Sequence, residues 1–108
     1  MRVLPHPAPE AIELTEVLRA LADPVRLNTV ACLAAEGEMK CGDLSSRAGV
    51  HKSTATHHLR TLREAGLVTI RQEGRLRFVK LRRADLESRF PGLLDSVLAA
   101  RQTSAKVS

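Results

Sequence analysis

Residues 51–68 read HKSTATHHLRTLREAGLV, two adjacent histidines among hydroxyl side chains and arginines, just ahead of an apolar segment. Three chemistries suit such residues: metal ligation, catalysis by a nucleophile or general base, and recognition of a polyanion. Metal ligation requires convergence. Two histidines share an ion from one helix at i,i+4 or i,i+3, whereas neighbours point about 100° apart, so His57 and His58 do not chelate together. His51 and His58 are two helical turns apart, and His6 lies in a proline-rich stretch near the N-terminus. No Ser-His-Asp or Cys-His arrangement can be assembled with specificity, and there is no glycine-rich phosphate loop. Neither an enzyme nor a bound cofactor or metal is expected.

Polyanion recognition fits the spacing. On a helix, Ala55, Leu59 and Leu62 form one stripe, while Ser53, Thr56, His57 and Arg60 recur at i, i+3, i+4 and i+7 on the opposite side. Short hydroxyls suit phosphates and base edges, and a guanidinium can bind guanine through two hydrogen bonds at once. His58 falls at the border of the apolar stripe and is expected to be half-buried, packing on or capping a neighbouring loop.

The charge distribution points the same way. Residues 1–51 carry five basic and seven acidic groups, whereas residues 52–83 carry nine basic groups against Glu64 and Glu73, a net +7 within a chain of net +5. A field concentrated in that manner implies an acidic polymer, and nucleic acid before membrane, because the segment is not one continuous amphipathic helix with a bulky apolar face. With 108 residues, 44% of them hydrophobic and only Phe78 and Phe90 aromatic, one mainly helical domain with an aliphatic core is expected. No apolar run is long enough for a membrane span, and the N-terminus lacks the apolar core of a signal peptide, so a cytoplasmic protein is expected. Cys32 and Cys41 are too few for a disulfide scaffold.

The elements that must hold this stretch follow along the chain. Residues 1–9, with three prolines, read as a loose arm, residues 10–101 as one domain and residues 102–108 as a polar tail. Leu14, Val17, Leu18 and Leu21 predict an amphipathic helix over 10–22. Asp23 and Pro24 are a good N-cap and first residue for a second helix, ending at Gly37. A short extended piece at 39–41 precedes a brief helix closing at Gly49, and the next helix runs from Lys52 to Ala65 with Gly66 as a left-handed C-cap, making a helix-turn-helix. Strands over 67–71 and 76–81, around a QEG turn, make a hairpin, followed by a helix restarted at Pro91. The predicted fold is mainly α with a β-hairpin, a winged helix-turn-helix ordered α-α-α-α-β-β-α. Charge on a hairpin is often only a solvated edge. Here Arg71, Arg75 and Arg77 follow a groove-like helix directly, and contact with phosphates or the minor groove is the better account.

Three segments, LRALADPVRL, GDLSSRAGVHKSTATHHLRTLREAGLV and RQEGRLRFVKL, resemble the ArsR-type (arsenic-repressor) family of winged helix-turn-helix regulators over residues 15–81, in order and spacing. The resemblance implies a bacterial homodimeric repressor of transcription. Its helix over 52–65 would enter the major groove of an inverted-repeat operator, with Lys52, Ser53, Thr56, His57 and Arg60 facing the groove and Arg75 at the wing tip. The dimer would form through the first and last helices, and Leu14, Leu18, Leu94 and Val97 are the expected contacts. Departures bear on the releasing signal. Lys40 stands where many metal sensors of the family place their first cysteine, Cys41 is shifted by one residue, and no histidine follows residue 58. Release by a transition metal is therefore not expected, and the inducer is left open. Two alternatives remain: a winged-helix protein-interaction module without DNA binding, and a repressor switched by oxidation of Cys32 and Cys41.

Overall fold

A computed structural model describes residues 2–107, with side chains as far as residue 102. The described residues form six α-helices and a small antiparallel sheet. The helices are α1 (Leu14–Leu21), α2 (Pro24–Glu36), α3 (Cys41–Ala48), α4 (Lys52–Ala65), α5 (Arg83–Arg89) and α6 (Leu93–Val107). The strands are β1 (Arg2–Val3), β2 (Glu38–Lys40), β3 (Val68–Glu73) and β4 (Leu76–Leu81), in the spatial order β1-β3-β4-β2. The architecture is the expected winged helix-turn-helix, with a sheet of four strands rather than a bare hairpin. None of the described helices is long and apolar enough to cross a membrane.

Local chemistry explains most boundaries. Asp23 accepts a hydrogen bond from the Arg26 N–H at 3.0 Å and Pro24 opens α2 where no N–H is needed. The carboxyl of Asp23 is held below its usual range, chiefly by that backbone hydrogen bond, against the opposing effect of burial. His51 caps α4, its Nδ1 accepting from the Ser53 N–H at 3.4 Å. β3 and β4 pair from Val68↔Leu81 to Glu73↔Leu76, leaving Gly74 and Arg75 as a two-residue turn. Gly74 has φ +60°, the positive value that the first position of a type II′ hairpin turn requires, so the turn lies one step later than the QEG expected from sequence.

Two expectations near the N-terminus are corrected. The predicted arm is tied down: Arg2 and Val3 pair with Gln72 and Arg71 of β3, and the Leu4 N–H donates to the Ile70 carbonyl at 2.9 Å. The predicted helix over 10–22 is split into a 3-10 turn at Pro9–Ala11 and α1, with Ile12 in extended conformation between them. Burial is the cause, since Ile12 is drawn into the core at 1% exposure. At the C-terminal end α5 and α6 are separate helices flanking Pro91 and Gly92, and α6 continues to Val107 through most of the expected tail. The tail side chains beyond residue 102 lie outside the described part.

The core joins Val17 and Leu21 of α1, Val30 and Leu33 of α2, Leu59 and Leu62 of α4 and Val68, Ile70 and Val79 of the sheet. It closes tightly on Gly66, which ends α4 at φ +91°. A Cβ built there would lie 2.6 Å from Cγ1 of Ile12, a side chain with no room to withdraw. Gly66→Ala should therefore destabilise the fold by about 2–4 kcal/mol, combining left-handed strain with a steric clash. Thermal unfolding by circular dichroism should show a fall in Tm of several degrees, and an unchanged Tm would contradict this packing.

Candidate nucleic-acid interface

The site is built on α4. Its apolar side, Leu59 and Leu62, is buried, with Ala55 half-buried beside them; its opposite side exposes Ser53, Thr56, His57 and Arg60, and Lys52 is exposed at its N-terminal end. Two of the hydroxyls are also used locally. Thr56 Oγ1 donates to the Lys52 carbonyl at 3.0 Å, and Ser53 Oγ lies 3.1 Å from His51 Nδ1. Each keeps lone pairs toward solvent. His58 is half-buried, as its position on the helix implies. Its Nδ1 lies 3.3 Å from Arg26 Nη1 and 4.0 Å from Asp23 Oδ2, so it packs on the start of α2.

The hairpin arginines divide into two kinds. Arg71 reaches across β4 to β2, where its Nη2 donates to Glu38 Oε1 at 2.8 Å, and its guanidinium lies 4.3 Å from the centre of the Phe78 ring. It also pairs with Glu73. These carboxylates raise the Arg71 pKa, and the hydrogen bond from Arg71 holds the Glu38 carboxyl below its usual range. Arg71, one of the expected wing contacts, is thus engaged in ion pairs within the sheet. Arg75 and Arg77 are exposed at the turn and on β4, with no carboxylate partner among the described residues.

The same sorting applies to the rest of the basic segment. Arg63 Nη1 donates to the Pro5 carbonyl, and the buried Arg82 pairs with Asp85 and donates to the Pro7 carbonyl at 2.7 Å. Arg83 pairs with Asp95 at 3.1 Å. Lys52, Arg60, Arg75, Arg77 and Lys80 form no ion pair with a carboxylate among the described residues; the first four share a cleft of about 570 Å³ between α4, the start of α3 and the hairpin, and Lys80 lies apart, beside α5. Lys40 and Arg63 also line it, which sequence reasoning missed because only the fold brings β2 and the far end of α4 to the same place.

The expected dimer residues also divide. Leu14 and Leu18 are each 43% exposed, one turn apart on the outer side of α1. Val97 is half-buried on α6, but Leu94 is 4% exposed and belongs to the core, a correction that arises because α6 turns Leu94 toward Leu21 and Leu86. Cys32 and Cys41 are free thiols, half-buried against the core, and burial raises the Cys41 pKa. Among the described residues no three His, Cys, Asp or Glu side chains converge to hold a metal ion.

The fold and the exposed basic face of α4 define a winged helix-turn-helix DNA-binding protein. A helix-turn-helix domain model matches residues 21–71. The chain is 35% identical over 83 residues to the uncharacterized HTH-type transcriptional regulator YceK of Bacillus subtilis, covering 76% of this chain and 83% of YceK. It is 39% identical over 80 residues to the biofilm growth-associated repressor of Agrobacterium fabrum, covering 72% of this chain and 68% of the repressor. In three dimensions it is similar to the homodimeric winged helix-turn-helix DNA-binding domain of Mb0332 from Mycobacterium bovis, described as a possible ArsR-family regulator. The TM-score is 0.63 at 27% identity, over 86% of this chain and 78% of that one. The chain belongs to the ArsR-type family of winged helix-turn-helix transcriptional regulators.

The Glu38–Arg71 pair yields a pH-dependent prediction. A carboxyl whose pKa is lowered on folding contributes stability that is complete above its unfolded value and is lost as pH falls through the folded one. Glu38→Gln should cost about 1 kcal/mol or less at pH 7, as a partly exposed pair does, and the difference from wild type should shrink below about pH 4. Urea unfolding at pH 7 and pH 3 measures this, and a difference that grows on acidification would contradict it.

Proposed function

We propose that the chain acts as a homodimeric repressor that binds an inverted-repeat operator in duplex DNA, with α4 in the major groove and the hairpin tip against the phosphates. The observation that carries this reading is a group of four cations without carboxylate partners among the described residues, Lys52, Arg60, Arg75 and Arg77, around one cleft beside the exposed face of α4. Ser53, Thr56 and His57 complete the groove face. Arg60 reads base edges, because a guanidinium near the middle of a groove helix can form two bonds to guanine. Arg75 and Arg77 position the duplex through its backbone. The action is binding in the cytoplasm, without catalysis and without a bound cofactor, and the releasing signal is something other than a transition metal. A non-DNA interaction module has no observation in its favour. A thiol switch is disfavoured by the raised pKa of Cys41, since the thiolate is the reactive form.

Dimerisation is supported by the outer side of α1. Leu14 and Leu18 are exposed together, Val97 is half-buried on α6, and burying such a patch against a second copy removes apolar surface from water. The similar Mb0332 domain is homodimeric. Leu18→Glu should convert a dimer into a monomer in sedimentation experiments at micromolar concentration, with the helical circular dichroism spectrum retained. A wild-type monomer under the same conditions would sink this part of the reading.

DNA binding is tested by selecting fragments from random duplexes and measuring affinity by fluorescence anisotropy. The selected site should be an inverted repeat with half-sites about one helical turn apart or a multiple of that. With four such cations in each protomer, log K should fall against log salt with a slope of about −4 or steeper. Arg60→Ala should weaken binding by about 1–3 kcal/mol and relax preference at particular base pairs, while Arg75→Ala should weaken selected and random duplexes alike. A slope near zero, or equal effects of both substitutions on specific and random DNA, would contradict the assignment of α4 as the reading element.

A further inference from the structure

The cleft beside α4 has more apolar surface than contact with a phosphodiester backbone requires. Its floor is made by Leu4 of the N-terminal strand segment, Leu59 of α4, and Ile70 and Leu76 of the hairpin. Leu76 is 49% exposed, one of the few large apolar side chains left open to solvent. Around this floor stand Lys40, Lys52, Arg60, Arg75 and Arg77, against a single carboxylate, Asp43, among the lining residues. A volume of about 570 Å³ falls within the range of small-molecule sites, roughly 300–1,000 Å³. Backbone phosphates call for cations and N–H donors, and gain nothing from hydrocarbon. An apolar floor within a cationic rim instead matches a ligand with an aliphatic body and one anionic end.

We propose that this cleft binds a small aliphatic carboxylate and that its occupancy releases DNA, because the ligand engages the cations that the duplex would need. The aliphatic body lies over Leu76, Ile70 and Leu4, and the carboxylate meets Arg60, Arg75 or Arg77. Cys41 lines the same cleft as a neutral thiol, its pKa raised by burial despite nearby Arg77, and so adds to the apolar wall. The regulatory half of this inference rests on the reading of α4 and the hairpin as the DNA-contacting surface; the binding half does not.

Sodium decanoate, kept below its micellar concentration, is the probe. Calorimetric titration into the full chain should give saturable binding of one decanoate per protomer. Acetate, which lacks the body, and decyltrimethylammonium, which carries the opposite charge, should bind far more weakly. Two variants locate the site. Gly42 lines the cleft in the first turn of α3, at an ordinary helical conformation with open space where a Cβ would sit, so Gly42→Phe should fill the cleft and abolish binding. Leu76→Asn removes exposed apolar floor without disturbing the core and should weaken decanoate about tenfold or more. Thermal melts confirm that both variants fold, and the DNA affinity of Leu76→Asn without decanoate is measured as the baseline for its own complex.

Saturating decanoate should weaken operator binding by the wild type about tenfold or more, an ordinary coupling between ligands, and should have little effect on the Leu76→Asn complex. Absence of decanoate binding, or equal binding to Gly42→Phe, overturns the site. Inorganic phosphate binding as well as decanoate overturns it too, marking the cleft as a seat for DNA phosphates alone. Decanoate and DNA bound together without mutual effect overturns the regulatory half. If decanoate binds as described but no duplex is bound at any salt concentration, the site stands and the DNA reading fails.

Discussion

The approach of Ile12 to Gly66 is the contact on which the geometry of the whole face depends. Gly66 ends α4 at a positive φ, and the chain enters β3 two residues later. The Leu67 N–H donates back to the Leu62 carbonyl at 3.0 Å, and the Arg82 N–H donates to the Leu67 carbonyl at 2.9 Å. One joint therefore sets the angle between α4 and the hairpin and brings the far end of β4 back to it. Ile12 fills the space that any side chain at position 66 would occupy, so the N-terminal segment becomes part of the hinge between α4 and the hairpin. A groove helix and a wing are useful only at a fixed separation, and packing without voids or slack is what fixes it.

Charge then does what packing leaves undone. The net +7 of residues 52–83 suggests a uniform basic face, but the structure spends several of those cations on its own frame. Arg71 spans from β3 to Glu38 of β2, Arg82 anchors Pro7 and Asp85, Arg63 holds Pro5 and Arg83 meets Asp95. Three of these fasten the N-terminal segment or the sheet edge that surrounds the joint. Four of the cations left without a carboxylate among the described residues, Lys52, Arg60, Arg75 and Arg77, gather around one cleft, which concentrates the field where a groove helix and a wing would meet a duplex.

Sequence reasoning captured what depends on neighbouring residues. The period of α4, the Asp23–Pro24 start of α2, the glycine ends of α3 and α4 and the alternation of β3 and β4 are all local, and each element appears at nearly the expected place. The placement of His58 at the border of a buried stripe is equally a matter of helix geometry. What was not legible depends on distant partners. Nothing near Ile12 announces that it will leave a helix to pack on Gly66, and nothing near Arg71 announces Glu38 two strands away. Leu94 and Leu18 look alike as apolar residues on amphipathic helices, yet the fold buries one at 4% exposure and leaves the other at 43%. Two-residue strands such as β1 are too short for any pattern, and here pairing with an existing edge decides.

The central claim is that the exposed face of α4 and the hairpin tip together form the DNA-contacting surface. Backbone amide chemical shifts measured on the labelled protein, with and without a selected duplex, test it most directly. The account predicts the largest changes at residues 51–60 and 74–77 of each protomer, with small ones at the outer face of α1 and along α6. Changes concentrated on α1 and α6, or absent from α4 while the complex forms, would contradict it.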